Sequence, residues 1–456
     1  MGKFHDRTHI MTTTDSLTID YPSQSQAVLL LFCGYVVIWY LQIGDRIPFL
    51  GAIRFEFIYA ALLIGIMFLS TSFSSIESPI LKYVILFFIC LLIEIPFSYD
   101  LKMSWTIFID RVLKFSFMAI FIAAFVRTPK HLVYFLGAFL LACLKMGQEG
   151  FIGQITGGLV WQNQGVMRLH GPTPLYAHPN SFSGMALGTV PFIYYLFPIV
   201  HRWVKAVLII MLVFAINIIL FTGSRTGYVA FFFFVLFAFL RSKTKMKFLM
   251  YALIIGVICI PMVPQDYIER FHSIFTGKEK EGHSYEARKE ILKDAWQIFL
   301  DHPLGVGVAA FPAVRKATFG RGQDTHNLYL EVATNLGVQG FIIFIFFIFN
   351  MMKMLNGITR GAYKQLQIME ERIALVNNAE GIARDMVKHI SDLKLIYATG
   401  SAVFMFLVIR LALGLFGMDL YEIYWWFALG LTISLYNINI YAQRRTEALL
   451  AFILKN

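Results

Sequence analysis

Twelve separate runs of about 20 mostly apolar residues, the length a helix needs to cross a bilayer, dominate this chain and exclude a single aqueous core. They fall at 27–43, 53–71, 80–97, 104–126, 131–147, 181–199, 204–222, 226–241, 246–263, 337–355, 393–414 and 421–442. Hydrocarbon offers no hydrogen-bond partners to a backbone, so each run is expected as a helix. The composition agrees: 58% of residues are hydrophobic and 15% charged, with 45 Phe among 456. The expected fold class is therefore all-α, a polytopic membrane helix bundle of about twelve transmembrane helices. Arg54 and Glu56 lie at one end of the second run, and Asp110, Arg111 and Lys114 interrupt the fourth.

Charge gives the orientation. With the N-terminus inside, the cytoplasmic segments hold Lys3, Arg7, Arg127, Lys130, the cluster Arg241, Lys243, Lys245 and Lys247, and Arg444, Arg445 and Lys455, whereas the short outer loops hold few basic residues. This positive-inside asymmetry predicts an even helix count with both termini cytoplasmic. The net charge of +11 is then a topology signal and not a nucleic-acid footprint. Cys33, Cys90, Cys143 and Cys259 all fall inside apolar runs and read as small hydrophobes, with no disulfide framework or metal cluster. The first run follows a polar stretch without a small-residue cleavage site and reads as an uncleaved anchor.

Three regions follow from this layout. Residues 1–263 form an N-terminal transmembrane region of about nine helices, with a Gly-, Gln- and Asn-rich outer segment at 148–180 that reads as an irregular loop. Residues 264–336 form a nearly charge-balanced outer loop with amphipathic helices, long enough for a helical periplasmic cap. Residues 337–456 add about three helices and a cytoplasmic insert at 356–392, whose alternating charges predict a surface helix or helical hairpin acting as a solvated connector.

Polar residues capable of chemistry collect at the outer face. Tyr285 to Leu300 has helical period, and Arg288, Leu292, Ala295 and Phe299 share a face that would pack down on the bundle with the guanidinium at its edge. A Pro/Gly break over Asp301-His302-Pro303-Leu304-Gly305-Val306-Gly307 ends that helix. Asp324 or Thr325 can cap the next helix, placing His326 in its first turn, where the positive end of the helix favours neutral imidazole. A general base needs that form, although a histidine at a helix start can also simply satisfy its own hydrogen bonds. Arg225 lies in the tight turn Thr222-Gly223-Ser224-Arg225-Thr226-Gly227, where small neighbours admit a bulky ligand, and where snorkelling to headgroups is the other reading. Arg410, near the outer end of the eleventh run, either binds a ligand or pairs with a carboxylate or headgroup.

The segment His326-Asn327, nine residues, Gly337-Val338-Gln339-Gly340 resembles the bacterial O-antigen ligase and polymerase superfamily, integral-membrane glycosyltransferases that use polyprenyl-diphosphate-linked glycans. Gly223 to Gly227 is similar to that family's short arginine-bearing outer turn, and Arg288, Trp296 and the string from His302 to Gly307 resemble the stretch before its histidine. Arg168-Leu169-His170-Gly171 with His178-Pro179-Asn180 resembles a further segment. The resemblance implies that Arg225 and Arg288 grip the donor diphosphate and that His326 deprotonates the acceptor hydroxyl in an inverting displacement. Arg168, His170, Asn327 and Arg410 are further candidates for substrate contact. No cofactor is implied. The first outer loop offers Asp45 and Glu56 but no D-x-D, which argues against a metal-dependent class.

The partners implied are a polyprenyl-diphosphate-linked glycan donor, a glycan acceptor and the bilayer of the bacterial inner membrane, with the active site periplasmic. The ligase, which transfers to a lipid A-core sugar, is the first expectation. An O-antigen or exopolysaccharide polymerase, which extends the growing chain, is the alternative. A transporter or flippase of lipid-linked glycans would instead hold its polar residues near the bilayer midplane, often in paired halves.

Overall fold

A computed structural model describes residues 21, 25–71, 73–163, 165–242, 244–259, 261, 263–276, 284–373 and 380–455. Among the described residues each apolar run is helical over most of its length. The first nine correspond to α1 (Gln26–Leu41), α2 (Phe55–Ser70), α3 (Leu81–Glu94), α4 (Leu101–Ile107, a π segment Phe108–Leu113, then Lys114–Phe125), α5 (Pro129–Thr156), α6 (Pro179–Leu196), α7 (Arg202–Phe221), α8 (Arg225–Arg241) and α9 (Lys245–Cys259). Three polar helices follow, α10 (Gln265–Thr276), α11 (Ser284–Asp301) and α12 (Phe311–Phe319), before α13 (Leu328–Ile373), α14 (Glu380–Leu413) and α15 (Ile423–Lys455). Among the described residues four helices are long and apolar enough to cross a membrane: Pro129–Thr156, Arg202–Phe221, Leu328–Ile373 and Ile382–Leu413. Large apolar side chains such as Leu30, Phe57, Ile85, Val207 and Leu253 stand exposed around the bundle, a surface suited to lipid and costly in water.

The charged interruption in the fourth run falls on the π segment of α4. There Arg111 pairs with Glu422 just before α15, and Lys114 pairs with Asp110, so the charges are matched within the protein.

Helix α14 lies at the centre and packs against α6, α8, α13 and α15. Small residues set these approaches, since apolar side chains gain little from leaving lipid and close backbone packing must supply the attraction. A Cβ at Gly400 would come within 2.8 Å of Thr359 on α13, and one at Gly188 of α6 would meet Phe406 of α14 at 3.1 Å. Between α15 and α4, a Cβ at Gly430 would lie 2.9 Å from the Ala119 backbone.

Two sequence expectations change. Helix α5 runs past 147 to Thr156, into the segment read as loop, because Gly147 and Gly150 are contact points: their missing side chains make room for Phe214 and Phe182. Beyond it, Val160–Asn163 (β1) and Val166–Leu169 (β2) form an antiparallel hairpin, with Trp161 opposite Arg168. The insert 356–392 is packed and not merely solvated. Met369, Met386 and Ile390 are buried, and His389 Nε2 lies 2.8 Å from Thr446 Oγ1 on α15; residues 374–379 lie outside the described set.

Helix α13 bends at Gly337, whose φ of +66° and ψ of −170° break the helix. The bend releases the preceding carbonyls, and the segment 303–307 accepts the opening as a strap. Val306 N donates to Thr334 O at 2.9 Å, Gly307 N to Asn335 O at 3.0 Å, and Val338 N to Pro303 O at 2.9 Å. Gln339 Nε2 closes the junction by donating to Leu304 O at 2.6 Å and Glu94 Oε1 at 2.8 Å. Glycine is required on both sides: a Cβ at Gly337 would lie 2.3 Å from the Leu304 carbonyl carbon, and one at Gly305, φ +99°, would lie 2.7 Å from Asn335 O.

Gly337→Ala therefore combines a clash with a left-handed backbone and should lower stability by about 2 kcal/mol or more, read as thermal unfolding in detergent. Gly137→Ala, on α5 with open space around it, is the control and should be neutral or slightly stabilising. Equal behaviour of the two variants would remove the strap from the account of stability.

Candidate active site

The chain's reversals bring the C-terminal ends of α5 and α7, the N-terminal ends of α6, α8 and α13, and the helices α11 and α12 to one end of the bundle. Arg168 on β2 ties several of them together and is buried. Its Nε donates to Thr222 O at 2.7 Å, Nη1 to Asn163 Oδ1 at 3.0 Å and Nη2 to Asn180 Oδ1 at 3.0 Å. One guanidinium thus fixes the hairpin, the α7–α8 turn and the start of α6, which makes Arg168 a positioning residue. His170 rests against Trp161, ring centroids 4.9 Å apart, with Nδ1 3.0 Å from Gly171 O.

The α7–α8 turn has Gly223 at φ +54°, and Ser224 caps α8, its Oγ accepting from Gly227 N at 3.1 Å. Arg225 is the first residue of α8 and half-buried. Gly227 allows α8 to touch α6, since a Cβ there would lie 2.2 Å from Ser183 Oγ.

Arg288 stands half-buried on α11, but the face differs from the one periodicity predicts. Ile291, Ala295 and Ile298 are buried with Asp294, while Leu292 is exposed. Asp294 can turn inward because Arg315 of α12, itself fully buried, donates Nε to its Oδ2 at 2.9 Å. Arg321 joins at 3.2 Å, and Arg315 Nη1 reaches Gln323 Oε1 at 3.1 Å. This buried network links the helix that carries Arg288 to the loop that carries His326. Around it Ala295, Ile298, Val306, Ala310, Phe311 and Val314 form a small separate core.

His326 does not lie in the first helical turn. Asn327 is the cap of α13, its Oδ1 accepting from Tyr329 N and Leu330 N, both at 3.0 Å. His326 precedes the cap with φ +47°, an uncommon conformation for a non-glycine residue and one that persists only where its surroundings enforce it. They do so here: Thr325 is buried, Asn327 Nδ2 donates to Leu415 O at 3.0 Å, and Leu328 N donates to Gly414 O at 2.7 Å. Burial pushes the His326 imidazole below its ordinary range, and Arg288 and Arg315 act the same way against Asp324. Neutral imidazole is thus favoured as expected, through desolvation and nearby guanidiniums.

A second histidine stands beside it. His178, just before α6, has an exposed ring, yet the protein around it removes enough water to hold its pKa down at about 4, with Arg168, His326 and Arg288 adding to the effect. Arg168, His326 and Arg288 thus all act on His178, Arg288 acts on His326 as well, and Arg168 attaches the Arg225 turn to the same group. His178 was legible as a capping pattern, a polar residue before Pro179 at a helix start, and Arg315 and Asp294 carried no comparable signal.

Arg410 is buried on α14. Its guanidinium lies 3.2 Å from the Tyr424 ring centroid, donates Nη2 to Gly184 O at 3.0 Å and stands 3.9 Å from Asp419. The pairing with a carboxylate is the alternative that these contacts favour.

Arg315→Met should strand Asp294 and lower thermal stability by about 3 kcal/mol, whereas Arg315→Met with Asp294→Leu should recover part of the loss. Additive losses in that cycle would mean the pair does not act as a unit.

No curated protein matches the chain. Residues 190–345, which hold Arg225, Arg288, His326 and the Gly337 bend, match the family model described as O-antigen ligase, and this domain supports the resemblance to the O-antigen ligase superfamily.

Proposed function

We propose that this protein is a membrane glycosyltransferase of the ligase type, moving a glycan from a polyprenyl-diphosphate donor to a sugar hydroxyl at the periplasmic face. In this reading twelve helices cross the bacterial inner membrane with both termini cytoplasmic, and 264–336 forms the periplasmic cap. The observation that carries it is a strained, neutral-favouring His326 within electrostatic reach of Arg288, inside the matched domain.

Each residue has one task. Arg225 and Arg288 hold the diphosphate, since guanidiniums pair with phosphoryl oxygens through paired N–H donors and stabilise charge as the leaving group departs. His326 takes the proton from the acceptor hydroxyl as its oxygen attacks the anomeric carbon; the C–O bond to the diphosphate breaks, and the configuration inverts. The diphosphate leaves with the bonding electron pair, and the proton stays on the imidazole until solvent removes it. Asn327 and Arg168 position these groups.

His326→Ala should abolish transfer while leaving protein abundance and donor binding near wild type, measured with purified protein and a defined lipid-linked donor. Comparable transfer by this variant would eliminate the base. Arg225→Ala and Arg288→Ala should weaken donor affinity as well as turnover, and unchanged affinity in both would remove the clamp. Supplying lipid A-core oligosaccharide and chain-terminal acceptors side by side separates ligase from polymerase; the ligase reading expects transfer to the core.

The pH profile tests the pairing of His326 with Arg288. Turnover requires neutral imidazole, and burial holds the His326 imidazole below its ordinary range, so the acid limb of the rate should lie at lower pH than the titration of an ordinary imidazole. Arg288→Gln removes a nearby cation and lets the imidazole ionise more readily, so the acid limb should move to higher pH. A limb that stays in place would show that Arg288 does not act on the base.

A further inference from the structure

His178 differs from His326 in what its ring can do. Its Nδ1 accepts a hydrogen bond from Asn180 N at 3.1 Å, capping the first turn of α6. A backbone N–H only donates, so Nδ1 holds a lone pair and the ring proton of the neutral form sits on Nε2. The other tautomer would set Nδ1–H against N–H and uncap the helix, as would full protonation. Nε2 is therefore fixed as a donor and has no lone pair with which to act as a base.

The surroundings specify what such a donor meets. Arg168 and Arg288 are the cations that act on His178, and His326 is the third group. Arg168 is directed to protein acceptors, one of them Asn180 Oδ1, so the residue that donates to the His178 ring is itself held in place. An exposed ring with a fixed N–H donor in a field set by guanidiniums suits an oxygen bearing negative charge.

We propose that His178 is a substrate-binding residue whose Nε2–H donates to a phosphoryl oxygen of the lipid diphosphate, next to Arg288 and across from His326. The assignment rests on the transferase reading for its ligand and extends it: of two adjacent histidines, one moves a proton and the other only donates a hydrogen bond.

The test separates donation from capping. Serine is as good a cap as a helix start accepts, so His178→Ser keeps the turn and loses the donor, whereas His178→Ala loses both. Binding of undecaprenyl diphosphate to the full-length protein in detergent is measured by calorimetry, with turnover and thermal unfolding alongside. A hydrogen bond to a charged group predicts about 10- to 100-fold weaker binding in His178→Ser at near wild-type thermal stability. His178→Ala should show the same binding loss with lower stability. Inorganic diphosphate should compete with the lipid on wild type, and its own affinity should fall in His178→Ser by a similar factor, which places the contact on the phosphates. Undiminished binding and turnover in His178→Ser, or an affinity for inorganic diphosphate unchanged from wild type, overturns the donor role alone. Failure of wild type to bind the lipid diphosphate overturns the transferase reading, and this assignment with it.

Discussion

The junction of two glycines, Gly337 in α13 and Gly305 in the strap, is the constraint on which the site-bearing end of the bundle depends. Backbone meets backbone there, with the strap's amides donating to carbonyls that the bend has freed. Buried main-chain groups demand partners, and this exchange supplies them without a side chain between. The strap follows directly from the end of α11 at Asp301, so the junction also fixes how α11 sits against α13. Arg288 rides on one and His326 precedes the other. The glycine pattern after the histidine thus acts on the site through geometry, holding the chain that carries His326 against the chain that carries Arg288.

The histidines at the site owe their neutrality to their surroundings more than to any helix end. Desolvation disfavours the charged form of an imidazole, and a nearby guanidinium disfavours it further. Both effects operate at His326 and His178, where burial leads and arginines follow. Asp324 opposes them at His326 alone, and this leaves His326 the more readily protonated of the two. In the proposed reading His326 accepts a proton during the reaction, and a nearby carboxylate favours that. Among the described residues no carboxylate acts comparably on His178, whose Nδ1 is already engaged.

The apolar runs were legible because lipid imposes a length and a composition that periodicity cannot hide. Failures came where a residue's usual meaning was reversed by its partner. Gly150 reads as loop and is a helix contact, because the Phe182 ring opposite needs the space. Leu292 was expected inward and is exposed, because Asp294 took the inner position once Arg315 had matched its charge. Neither partner lies close enough in sequence to announce itself. His326 missed its expected turn by two residues since Asn327, equally able to cap, holds both amides at 3.0 Å.

The strain at His326 shows how far the site extends. A left-handed conformation at a bulky residue needs fixing from more than one side, and the clamps at Leu415 and Gly414 come from the end of α14. The same connection reaches further: Glu331 Oε2 accepts from Leu420 N at 3.2 Å, Tyr329 donates to Leu411 O at 3.0 Å, and Tyr421 Oη accepts from Ala309 N at 3.1 Å. Ala309, φ +55°, is the other described non-glycine residue of this region held in the left-handed region, two residues past the strap. Two strained backbones on separate segments are thus braced by one loop between α14 and α15. The C-terminal helices act as the frame that keeps His326 in its unfavourable conformation, so a shift of α14 against α13 would be felt at His326.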